Sequence, residues 1–91
     1  MAQTIHYPLH INANGSYTPQ GKILGSVTVN TKGAGGNTLT VYNGVDATGP
    51  VLAVIDTTGA LGTFLYDLLA INGLFVVVVG GDAADLTVAS Y

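Results

Sequence analysis

The sequence contains no cysteine, no tryptophan, no arginine and no glutamate. Without cysteine there are no disulfide staples, no thiolate zinc sites and no cysteine nucleophile. Without arginine, and with Lys22 and Lys32 as the only lysines, the chain cannot build a phosphate-tracking patch or fork onto bases. A formal net charge of −3 argues the same way, so nucleic acid is not expected as a partner. Charge of either sign is scarce: 8% of residues are charged, against about 25% in an average soluble domain. Long apolar runs are missing too. The longest, Leu74–Val79, falls far short of the roughly 20 residues of a membrane-spanning helix, and no membrane is expected as a partner. The opening Met1-Ala2-Gln3-Thr4 has neither a basic n-region nor an apolar h-region, so the chain reads as made and used without Sec export.

What is present is apolar and small. Hydrophobic residues make up 48% of the 91, and 13 are glycine. That length supports one domain with one core of modest stability. Its surface must be largely Thr, Asn, Ser, Gly and apolar side chains. Such a surface is poorly protected against association, because solubility normally relies on interspersed charge. The composition points to a protein that works packed against copies of itself or a large partner.

Strand signals run the length of the chain. β-Branched stretches of period two, punctuated by Gly and Asn clusters, place strands near Thr4–Ile11, Lys22–Thr31, Thr38–Tyr42, Val51–Asp56, Thr63–Leu69, Leu74–Val79 and Leu86–Ser90. The expectation is all-β: a single small β-sandwich or jelly-roll-like barrel of about seven short strands with an extended N-terminal arm. Residues 1–20 read as arm and linker, and residues 21–91 as the body. Pro8 confines the first strand to an edge or to pairing with another chain. Phe64–Ile71 has rough helical spacing but no cap, and reads better as a strand. Asn72-Gly73 is a two-residue hairpin signal that would pair the segment around Leu65 with Phe75–Val78. The run Phe75–Val78 lacks polar alternation, which suggests burial on both faces or cover by a partner. Asn30–Gly36 and Asp56–Gly62 echo one another as strand-end and Gly-Ala-x-Gly loop, which implies pseudo-symmetric halves or similar turns.

Sites of chemistry are thin. His6 and His10 share a strand face too far apart for one metal, so both read as arm residues in contact with a neighbour. Asn43–Asp46 and Gly80–Asp85 would offer Ca²⁺ a carboxylate set if folded together, but Asp in turns more often serves the backbone. Gly33-Ala34-Gly35-Gly36 lacks the Gly-Lys-Ser/Thr ending of a phosphate loop and reads as a flexible hairpin connection. Ser16, Ser26 and Ser90 are the only serines, and none lies in a nucleophile elbow. No enzyme, cofactor or metal is expected. Tyrosine is enriched at interfaces, so Tyr7 and Tyr17 are the expected partner contacts, whereas Tyr42 and Tyr66 are expected to cover their own core.

The ordered series Gly33–Gly44, Thr48–Thr58, Gly73–Val78 and Ala84–Val88 resembles small β-rich virion proteins of tailed bacteriophages, especially capsid decoration (cement) and head-fibre types. The likeness covers about residues 21–91. It implies a structural virion protein that binds the outer surface of major capsid subunits and associates with itself as a dimer or trimer on the capsid surface. The arm lies outside the matched pattern but suits such a role: Ile5, His6, Tyr7, Leu9, His10 and Tyr17 are expected to bind the partner, as an arm adding a strand to a neighbour's sheet edge does. The alternative is a carbohydrate- or receptor-binding β module of a phage tail or fibre, with Tyr and Asp on loops holding the ligand.

Overall fold

A computed structural model describes residues 7–91. They form eight strands: β1 (Tyr7–Ile11), β2 (Gly15–Tyr17), β3 (Ile23–Thr31), β4 (Thr38–Asn43), β5 (Val51–Asp56), β6 (Gly62–Leu69), β7 (Leu74–Val79) and β8 (Asp85–Ser90). No helix is present among the described residues. Two four-stranded sheets result, in the orders β1-β8-β3-β6 and β2-β7-β4-β5. Every pairing is antiparallel, and the pairs nest: β4 with β5, β3 with β6, β2 with β7, β1 with β8. The chain is thus one long hairpin, folded at the β4–β5 turn and rolled so that successive pairs alternate between sheets. This is the order of an eight-stranded jelly roll.

The roll corrects two expectations about connections. β6 and β7 do not form a hairpin; they lie in different sheets. A two-residue hairpin turn of the Asn-Gly type needs positive φ at both central residues. Here Gly73 has φ 107° but Asn72 does not, and Gly73 N–H instead donates to the Ala70 carbonyl at 2.9 Å. Ile71-Asn72 therefore forms the centre of a turn that carries the chain from one sheet to the other. Gly33–Gly36 is likewise a crossover, from β3 to β4, rather than a flexible hairpin connection. Its Ala34 is tied to Asp82 by two backbone bonds of 3.0 and 2.9 Å.

Between the sheets lies one core. Ile11, Leu24, Val27, Val29, Leu86 and Val88 face inward from one sheet, and Leu39, Val41, Ala53, Ile55, Leu74, Val76 and Val78 from the other. The unbroken run of β7 resolves into a buried face (Leu74, Val76, Val78) and a face only half covered (Phe75, Val77). β1 is an edge strand, as Pro8 requires.

The segment read as arm and linker enters both sheets. Leu9 and Ile11 of β1 and Tyr17 of β2 pack on the chain's own core, because β8 and β7 each have a free side that these short strands complete.

One end of the roll is closed by a buried polar hub. Asn37 Nδ2 donates to Asn14 Oδ1 (2.9 Å) and the Gly80 carbonyl (2.8 Å), while its Oδ1 accepts from the Thr57 hydroxyl (2.6 Å) and the Ala84 N–H (3.2 Å). The two echoing loops meet here side by side. Gly33 N–H donates to the Thr57 carbonyl and Thr57 N–H to the Asn37 carbonyl, each at 3.2 Å.

Candidate interaction surface

The roll leaves four strand edges, and three are blunted. β1 carries Pro8, which has no donor, and the polar His10. β2 is three residues long. β5 is kinked by a bulge where Val41 and Tyr42 face Ala53 and Val51. β6 is different: it is eight residues long, and from Gly62 to Leu65 its register against β3 is regular. Its bulge follows at Tyr66-Asp67, between the paired Leu65 and Leu68, with φ 55° at Asp67.

Apolar side chains gather on that edge. Leu65 is 81% exposed, Ile71 69%, Leu69 60% and Leu61 59%. Beside them the rim of the sandwich is open. Val54, Ile55 and Asp56 of β5, Gly59 and Ala60 of the connecting loop, and Phe64 and Tyr66 of β6 line a slot of about 300 Å³. Partial burial there pushes the Tyr66 hydroxyl pKa above its usual value. Asp67, the charge nearest in sequence, accepts a hydrogen bond from the Tyr91 hydroxyl.

A second apolar surface is the outer face of the β2-β7-β4-β5 sheet. Tyr42 stands between Phe75 and Val51, and Thr40 between Val77 and Val54. This corrects the expectation for Tyr42: alternation along β4 buries Val41 and turns Tyr42 outward, whereas Tyr66 does pack on the core.

The expected arm contacts are scattered by the fold. Ile5 and His6 lie outside the described residues. Leu9 is half-buried against the core, and Tyr17 packs there too, its hydroxyl donating to the Ala13 carbonyl at 2.6 Å. Tyr7 is 45% exposed at the start of β1. His10 lies on the outer face of its sheet, with Nε2 2.9 Å from Asp85 Oδ1, which also accepts from Asn30 Nδ2 at 3.0 Å. These bonds, the Asn30 amide foremost, hold the Asp85 carboxyl below the usual carboxylate range.

The two acidic loops do not come together. Asp46 sits beyond the Asn43 end of β4 and Asp82 beyond the Val79 end of β7, and antiparallel pairing of Asn43 with Leu74 and Thr38 with Val79 puts these at opposite ends of the sheet. Among the described residues no group of three or more metal-ligating side chains is gathered. Asp46 Oδ1 instead accepts from the Thr48 N–H (2.9 Å) and hydroxyl (2.5 Å), the turn role. That loop does border a hollow of about 440 Å³, lined by Asn43, Asp46, Thr48, Pro50, Asn72 and their neighbours.

β6 and its rim were not singled out by sequence. Leu65 pairs with Ser26 on the outward face, and the sheet order leaves β6 without a neighbour on its other side; neither is local in sequence. No protein-family model, no curated protein and no solved structure matches the chain.

Proposed function

We propose that the chain is a structural virion protein, which decorates and stabilises a bacteriophage capsid by binding the outer surface of major capsid subunits and its own copies. The observation that carries this reading is the pairing of scarce charge with exposed apolar surface on an open strand edge and an outer sheet face. A monomer working alone in water gains nothing from Leu65, Val54 (60% exposed) or Val79 (58%) at its surface. Repeated over a shell, such weak contacts add through avidity. Eight-stranded jelly rolls are frequent in viral capsid and lectin domains, a support by analogy of fold alone.

The test is cryo-electron microscopy of the purified virion, or of capsids reconstituted with this protein. Density at regular lattice positions is the expected result. Absence from the shell, or presence at the tail alone, discards it. The hollow among Asn43, Asp46, Thr48 and Asn72 favours a second reading, a carbohydrate-binding module. A glycan array with the isolated protein separates the two, since the capsid reading expects no glycan signal.

A further inference from the structure

We infer that β6 is a self-pairing edge: two copies join antiparallel across a two-fold axis beside Phe64, making one continuous eight-stranded sheet. The inference deepens the self-association named above and does not depend on the virion.

Register within the edge makes it self-complementary. A two-fold axis at Phe64 sets Phe64 opposite its own copy, Thr63 opposite Leu65, and Gly62 opposite Tyr66. Gly62, Phe64 and Tyr66 lie on the inward face, since Gly62 pairs with the buried Val29 and Phe64 with the buried Val27. Gly62 has φ 119° and open space where a Cβ would stand. An aromatic ring from across the strand pair fills such a gap, the arrangement by which aromatics compensate edge glycines. The ring supplied is the partner's Tyr66. On the outward face the copy's Leu65 covers Thr63, and on the inward face two Phe64 rings meet at the axis beside the open slot.

Charge agrees with a second copy as the occupant. Across Gly62–Tyr66 there is no charged residue to repel its own image. In this register five residues of each strand, Gly62–Tyr66, face their copies over about 17 Å. Such a contact is smaller than a standard specific interface, so the pairing is expected as a weak, reversible dimer, sought at protein concentrations of about 1–100 μM.

Analytical ultracentrifugation of the full chain across that range tests it. Leu65→Lys, at a side chain 81% exposed, should raise Kd at least tenfold, while Val79→Lys, on the other sheet, should leave it unchanged. Circular dichroism confirms that both variants fold. Because the chain has no cysteine, mixing Thr63→Cys with Leu65→Cys under oxidation should crosslink across the interface and report the register. A monomer throughout, or a dimer lost in Val79→Lys but kept in Leu65→Lys, overturns the inference. Either result leaves the lattice density of the capsid experiment unaffected, so the two readings fail separately.

Discussion

The Thr57 hydroxyl lies 2.6 Å from Asn37 Oδ1 and 3.0 Å from the Asn37 carbonyl oxygen, in a site where both residues are fully buried. Through this contact the β3–β4 and β5–β6 loops are held to the β7–β8 loop, where Gly80 accepts from Asn37 and Ala84 donates to it.

Replacing Asn37 by Ala leaves the Thr57 hydroxyl, the Ala84 N–H and the Gly80 carbonyl without that partner. A cost of about 3–4 kcal/mol is expected, at the upper end for single substitutions, since several buried groups lose bonds together. Thr57→Val keeps the shape, and Asn37 Oδ1 keeps its bond from Ala84, so about 1–2 kcal/mol is expected. Urea unfolding of both variants checks the order. Equal losses would show that Asn37 is not the hub.

Two glycines of left-handed backbone separate strain from collision. Gly36 has φ 77° with nothing within 4 Å of an added Cβ, so Gly36→Ala should cost about 1–2 kcal/mol, the ordinary left-handed penalty. Gly81 has φ 48°, and its added Cβ would stand 2.0 Å from the Ala34 carbonyl oxygen. Gly81→Ala must also break the Ala34–Asp82 bridge, so it should cost clearly more. Thermal melts of the two variants decide, and similar melting temperatures would contradict the packing of these loops.

Acid should weaken the fold through three carboxylates that accept local hydrogen bonds. The Thr48 hydroxyl lowers the pKa of Asp46, the Thr58 hydroxyl that of Asp56, and Asn30 with His10 that of Asp85, all from an ordinary 3.8. A carboxyl with a lowered folded pKa contributes stability that is fully present above its unfolded value. That contribution is lost as pH falls through the folded value. The urea midpoint should therefore fall below about pH 4 from these groups. In the triple variant Asp46→Asn, Asp56→Asn, Asp85→Asn the fall should shrink, and an unchanged fall would assign the acid sensitivity elsewhere.

Much of this architecture is legible in local pattern, and what is not legible is long-range. Val51–Asp56 and Leu74–Val79 begin and end where alternation and glycine place them. β2 escaped because Gly15-Ser16-Tyr17 has no strand signal of its own; pairing with Val76–Val78 makes it a strand. The Asn72-Gly73 turn misled because a dipeptide specifies a bend and not which sheet receives the next strand. The exposure of Leu65 is set by its face: it pairs with Ser26 on the outer side, opposite the side on which Phe64 meets the core. Which face of a period-two strand is covered depends on the sheet packed against it, and that depends on residues far away in sequence.

The homogeneous run of β7 gives the sharpest check of that order. Val76 is fully buried between the sheets, whereas Val77 is half-buried on the outer face between Ser16 and Thr40. Threonine is nearly the same shape as valine, so substitution tests polarity rather than volume. At Val76 the hydroxyl enters an apolar core, and Val76→Thr should cost about 1–3 kcal/mol. At Val77 the hydroxyl lies beside that of Thr40 on a face that water reaches, where cross-strand threonine pairs are favourable. Val77→Thr should therefore stay within about 0.5 kcal/mol of the parent. Equal destabilisation in urea would mean that both faces of β7 are covered, and the outer face of its sheet would no longer be free to meet a partner.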